Sequence, residues 1–118
     1  MGGKTVLVVD DDDSMRLLCR VNLELEGHRV LEAESLARAR ELIATERPDV
    51  MLLDVHVGSE RGPDLIDDVT GLEPPTQIVL LSGSGEISPE LRVQVAGVLA
   101  KPFDLAELSA AVGLVRVG

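Results

Sequence analysis

Aromatic side chains are nearly missing from this sequence: Phe103 stands alone, with no tryptophan or tyrosine. A surface that stacks nucleic-acid bases needs several such rings, so that class of function is excluded. Cations are scarce as well. Eleven Lys and Arg face 21 Asp and Glu, a formal net charge of −10. Nucleic acid and anionic membranes both repel such a surface, so neither is expected as a direct partner. The single cysteine, Cys19, has no partner for an internal disulfide and fits a reducing compartment, which places the protein in the cytoplasm. No apolar run approaches the ~18–20 residues of a membrane span, and the N-terminus lacks the apolar region of a signal peptide. What the sequence does have is 45% hydrophobic residues in 118, enough for one packed core. The expectation is a single domain over residues 1–118, with residues 1–3 open to being a cloning remnant.

The apolar runs are short and evenly spaced. Thr5–Val9, Arg29–Ala33, Val50–Leu53, Ile78–Leu81 and Val98–Ala100 read as strands. Their character is continuous rather than alternating, which marks strands covered on both faces, as in a parallel sheet. Amphipathic stretches separate them. Ser14–Glu26 carries Met15, Leu18, Cys19 and Leu23 on one predicted buried face, with Gly27 as its stop. Ser35–Thr45 buries Leu36, Ala39, Leu42 and Ile43 behind a Ser35 cap. Pro63 opens a helix to about Thr70, Pro89–Val95 is a helix of barely two turns, and Asp104 caps a last one that buries Leu105, Leu108 and Val112. Strand and helix thus alternate five times, an α/β doubly wound parallel sheet with helices on both faces.

Ligands in such sheets bind beyond the carboxyl ends of the strands. Asp10 and Asp11 follow the first strand, Asp54 the third, Ser82 and Gly83 the fourth, Lys101 and Pro102 the fifth. Two unit charges ~4 Å apart interact by roughly 4 kcal/mol at an effective dielectric of about 20, so three converging carboxylates need a counter-charge. A hard divalent cation supplies it: Mg²⁺ favours a few carboxylates with water and phosphate oxygens. A carboxylate beside a metal, a lysine and a hydroxyl is a suitable phosphoryl acceptor. Each residue also has a plainer reading. The run Asp10–Asp13 resembles a helix start, a role Asp12 and Asp13 keep. Asp54 can end a strand in a turn, Ser82 can bond locally to Gly83, and Lys101 can be a surface residue. Pro102, however, restricts Lys101 to an extended or cis geometry that turns it inward. Cys19 reads as core, and His28 and His56 lack metal-ligand spacing and read as exposed.

The segments TVLVVDDDDSMR (5–16), VMLLD (50–54), LLSG (80–83) and KPF (101–103) together resemble the receiver domain of two-component response regulators, over essentially the whole chain. Asp11 lies 43 residues before Asp54, Ser82 28 after it, and Lys101 19 further on. The resemblance implies a flavodoxin-like five-stranded sheet of order 2-1-3-4-5. It implies Asp54 as phosphoacceptor, with Ser82 and Lys101 on phosphoryl oxygens. It implies Mg²⁺, or Mn²⁺, on Asp10, Asp11, Asp54 and the backbone carbonyl of His56. The implied partners are a sensor histidine kinase or histidine phosphotransfer protein and a downstream target or attached output domain, with a homodimer also open. On this reading the chain is a signalling phosphoacceptor with slow autodephosphorylation, not an enzyme, and 118 residues leave it a stand-alone receiver or an excised domain.

Several residues depart from the family pattern. Val98 replaces a usual aromatic, which removes a rotamer switch. Gly58 replaces a common proline, which implies a more mobile acceptor loop. The segment between Ser82 and Lys101 is short, at the cost of the fourth helix. His56 and Ser84 occupy positions that tune loss of the phosphoryl group, Gly83 leaves the site open, and Gly62 matches a frequent glycine. Two alternatives stand beside this reading: a receiver-like interaction domain that works without phosphorylation, and a haloacid-dehalogenase-type phosphatase using Asp10 and Asp12. Gly3-Lys4-Thr5 is not a P-loop, since its leading glycine is absent and the strand follows it. Met1-Gly2 lacks the Ser or Thr of a myristoylation signal.

Overall fold

A computed structural model describes residues 3–83 and 87–115. Thr5–Val9 forms strand β1, followed by helix α1 (Asp13–Leu25), β2 (Arg29–Ala33), α2 (Leu36–Glu46) and β3 (Val50–Asp54). A small hairpin of β4 (His56–Val57) and β5 (Glu60–Arg61) leads into a 3₁₀ turn, Gly62–Leu65, continued by α3 (Ile66–Thr70). Then come β6 (Gln77–Ser82), α4 (Pro89–Arg92), β7 (Gly97–Ala100) and α5 (Leu105–Leu114). Five strands make one parallel sheet in the order β2-β1-β3-β6-β7. Counting only its members in chain order, this is the expected 2-1-3-4-5.

The unbroken apolar runs have the expected cause. Alternate residues of each strand enter two separate cores. Leu7, Val9, Met51, Leu53, Ile78 and Leu80 pack with α2 and α3 through Leu36, Ala39, Ile43 and Val69. Val6, Val8, Val50, Leu52, Val79 and Leu81 pack with Cys19 and Leu23 of α1 and Leu108 and Val112 of α5. A fully buried leucine contributes about 1.5–3 kcal/mol, so the central strands anchor both layers. Cys19 is fully buried, and burial first, with the Asp10 charge second, pushes its thiol up to about 11. It is an inert core residue.

Helix ends follow local chemistry. Asp12 caps α1 through Ser14 and Met15 N–H groups, and Gly27 leaves the helix at φ +91°. Ser35 caps α2, and Asp104 with Glu107 forms a capping box on α5. At the far end of α5, the Lys4 ammonium donates to the carbonyls of Val112 and Val115 at 2.6 and 2.5 Å. That clip neutralises the negative end of the helix and ties it to the start of β1.

Five details differ from the sequence reading. Leu18 is 41% exposed, because it sits about 100° around α1 from Cys19 and so flanks the narrow Cys19–Leu23 stripe. Leu105 is 46% exposed, being the first residue of α5 and one turn short of the sheet. The helix from Pro63 is a 3₁₀ turn before it becomes α. Helix α4 stops at Arg92, since the Ala96 N–H must already reach the Ile78 carbonyl to begin the next strand. A groove of about 470 Å³ runs beside β7, lined by Val79, Arg92, Val98 and Leu114. His28 is half-buried, with Nδ1 accepting from the Lys4 N–H at 3.0 Å.

Replacing Lys4 by Met is expected to lower stability by about 1 kcal/mol through loss of the α5 clip. Urea unfolding followed by far-ultraviolet circular dichroism measures this, and an unchanged midpoint contradicts it.

Candidate functional site

The register brings the sequence-predicted residues to one edge. Val9 pairs with Leu53, Asp54 with Leu81, and Ser82 with Ala100, so β1, β3, β6 and β7 end side by side. Asp10 is fully buried, Asp54 half-buried and Asp11 exposed, and one oxygen from each carboxylate lies within 4.8 Å of the others. Lys101 reaches in from the end of β7, with Nζ 2.8 Å from Asp54 Oδ2 and 3.3 Å from Asp10 Oδ2. The Lys101–Pro102 peptide is cis, one of the two geometries expected.

Asp10 is held at several atoms. Its N–H donates to the Ala33 carbonyl at 3.1 Å, and its Oδ1 accepts from the Asp12 N–H at 2.9 Å. Its carbonyl accepts from Arg16 Nη1 at 2.6 Å. Burial raises the Asp10 carboxyl above its ordinary range, and the Asp54 charge adds to this against the pull of the Asp12 N–H and Lys101. For Lys101, burial alone would lower its value. The hydrogen bond to Asp54 and the charges of Asp10 and Asp54 outweigh it, so the ammonium stays protonated.

Asp54 Oδ1 accepts from the His56 N–H at 3.2 Å, which keeps the main chain of exposed His56 against the carboxylate. The chain then turns back under Asp54. The Gly62 N–H donates to the Val55 carbonyl at 2.8 Å, and a Cβ at Gly62 would lie 1.9 Å from the Asp54 carbonyl oxygen. Only glycine permits that approach. Gly58 has φ +62°, a value closed to proline, and opens the two-residue turn of the β4–β5 hairpin.

The remaining residues divide clearly. Ser82 is buried at the end of β6, but its hydroxyl donates to the Gly83 carbonyl at 2.5 Å, the local bond that was its plainer reading. Asp12 caps α1 and Asp13 pairs with Arg16, so both take the helix-start role. The carboxylate that the phosphatase alternative needed from Asp12 is therefore engaged at the helix. Ser84 lies outside the described residues. The sequence reading missed Arg16, whose only signal is its place one turn into α1 after the acidic pair.

Three carboxylates are a hard, anionic donor set that suits a divalent cation. Oxygen ligands at about 2.1 Å from Mg²⁺ lie at most ~4.2 Å apart, and the three carboxylates each bring an oxygen within 4.8 Å of the others, close to that range. The acidic triad is consistent with a divalent-cation site at the topological edge of a doubly wound sheet.

A doubly wound parallel sheet with such an acidic pocket at its strand ends is a flavodoxin-like α/β fold, and comparison with known proteins narrows it. The family model of the response regulator receiver domain matches residues 6–113. Over 108 residues the chain is 35% identical to the KDP operon transcriptional regulatory protein KdpE of Escherichia coli, covering 89% of this chain and 48% of that protein. It is 27% identical over 115 residues to sporulation initiation phosphotransferase F of Bacillus subtilis, covering 95% and 93%. A chemotaxis response regulator of Vibrio cholerae has a TM-score of 0.83 at 27% identity, covering 97% and 99%. The chain spans about half the length of KdpE and nearly all of the other two. This chain belongs to the response regulator receiver domain family. Members of the family are typically signalling phosphoacceptors rather than enzymes. Among the described residues, no helix is long and apolar enough to cross a membrane.

Two outcomes follow from this geometry. Gly62→Ala should destabilise the fold by about 1–3 kcal/mol, since the new methyl must displace the Asp54 main chain; thermal unfolding reads this directly. The folded-state value of Asp10 lies above its ordinary 3.8. Its stabilising contribution is therefore full below 3.8 and lost as pH rises through the folded value, so ionised Asp10 costs stability at neutral pH. Asp10→Asn should raise the urea midpoint at pH 7 in the presence of a chelator, with the gain shrinking toward pH 4. A gain equal at both pH values would refute that origin.

Proposed function

We propose that this chain is a phosphoacceptor in a two-component phosphorelay. Asp54 takes a phosphoryl group from the phosphohistidine of a sensor histidine kinase or histidine phosphotransfer protein. A carboxylate oxygen of Asp54 forms the new O–P bond as the P–N bond breaks, and the imidazole leaves with its electron pair. When bound to Asp10, Asp11, Asp54 and the His56 carbonyl, Mg²⁺ supplies the charge that neutralises phosphoryl oxygens.

The residues of the chain do the rest. Lys101 moves from Asp54 Oδ2 onto a phosphoryl oxygen, and its raised value keeps it cationic throughout. Ser82 rotates its hydroxyl from the Gly83 carbonyl to a second phosphoryl oxygen. The His56 N–H keeps Asp54 oriented for attack. The modified site then alters the affinity of the domain for a downstream protein or an attached output domain. Val98 offers no aromatic ring to couple this change to β7, so the signal passes through the Ser82 and Lys101 main chains, which are already joined by a 2.7 Å hydrogen bond.

One observation carries this reading: a single ammonium bonded to two of three clustered carboxylates, one of them at the tip of the middle strand. The test uses Mg²⁺ and acetyl phosphate with intact-mass detection. The expected result is one acid-stable, base-labile phosphoryl adduct that Asp54→Asn abolishes and Mg²⁺ omission suppresses. Lys101→Ala should slow its formation about 100-fold. An adduct that survives Asp54→Asn overturns the assignment, and no adduct at all favours an interaction domain independent of phosphorylation.

A further inference from the structure

Arg16 is 11% exposed at its side chain, and all three edges of its guanidinium are engaged. Nη1 donates to the Asp10 carbonyl at 2.6 Å, Nη2 pairs with Asp13, and Nε donates to Glu32 Oε1 at 3.2 Å. Glu32 is itself held from its other oxygen by Arg20 at 3.0 Å. The fork therefore joins the end of β1, the first turn of α1 and β2 at one point.

We infer that Arg16 is a positioning residue that sets the divalent-cation affinity of the acidic cluster by fixing the peptide between Asp10 and Asp11. The Asp10 carbonyl belongs to that peptide. With its oxygen on Arg16 and the preceding N–H on Ala33, the plane from which Asp11 departs has one orientation. Asp11 is the exposed member of the cluster and is repelled by the other two carboxylates. Main-chain restraint is what keeps it in range of a shared ion. Asp13 and Glu32 offset the charge of Arg16, so its effect on a nearby cation is geometric rather than repulsive. A lysine cannot reproduce the arrangement, because a point charge cannot span three acceptors.

The inference rests on the reading above in taking Mg²⁺ as the ion of this cluster. The sign of the effect separates it from simple charge. Removing a nearby cation by itself tightens Mg²⁺ binding, whereas loosening Asp11 weakens it. Calorimetric titration of Mg²⁺ into the wild type, Arg16→Lys and Arg16→Gln, with thermal unfolding as a check on folding, reads this out. About tenfold weaker binding in both variants is expected. Tighter binding in Arg16→Gln with unchanged binding in Arg16→Lys overturns the inference, as does unchanged binding in both. The unaltered protein gives a second readout should a variant not fold. The Arg16 Nε proton should exchange slowly in nuclear magnetic resonance spectra and shift with the same Mg²⁺ saturation as the Asp11 amide. Rapid exchange overturns the inference. Absence of any Mg²⁺ site in the wild type overturns instead the metal assignment of the phosphoacceptor reading.

Discussion

Mutual repulsion of carboxylates crowded at one edge of the sheet is the constraint around which this molecule is arranged. Asp10 is buried against it, Asp54 is half-buried, and Asp11 stays in water. Among the described residues Lys101 is the one cation bonded to the clustered carboxylate groups themselves, and it touches two of them at once. Burial first, with the Asp54 charge adding to it, still pushes Asp10 toward its neutral form against the pull of the Asp12 N–H and Lys101. Three carboxylates and one ammonium leave an excess of negative charge at this edge, which a divalent cation is suited to offset.

Beside Lys101, the groups that hold those carboxylates in place are largely main chain. The Asp10 N–H lies on Ala33 and its Oδ1 on the Asp12 N–H; Asp54 lies on the His56 N–H. Gly62 lets the chain pass against the Asp54 carbonyl, where any side chain would collide. Backbone donors are strong at anionic sites because folding fixes their direction. Arg16 extends the same logic, acting on a carbonyl rather than on a carboxylate. The α1–α5 side of the fold adds the Lys4 clip, which steadies a helix whose neighbouring strand bears Lys101.

Much of this is legible in the residues alone. The apolar runs gave all five sheet strands to within a residue or two, because strands buried on both faces have no polar positions to blur them. Asp12, Ser35 and Asp104 marked helix starts through their own short-range chemistry. The misreadings share a cause. Leu18 and Leu105 are apolar yet exposed, and periodicity alone cannot say how wide a stripe the neighbouring layer will cover. The early stop of α4 is a demand of the sheet, made through Ala96 and Ile78. The β4–β5 hairpin is two residues per strand, too short to leave a periodic signal, although Gly58 marks its turn.

The sequence by itself determined the α/β alternation, the strand-end residues and the acidic, nearly ring-free surface. Each is written in local pattern or composition. Only tertiary structure decided which of those residues meet. Asp10 and Lys101 are 91 positions apart, and parallel pairing brings them within 3.3 Å. It also decided that Asp12 turns away to cap a helix while Asp10 goes inside, that the Ser82 hydroxyl rests on Gly83, and that Arg16 reaches back to the chain before it. Contacts of that kind depend on distance and direction in space, and a linear string of residues records neither.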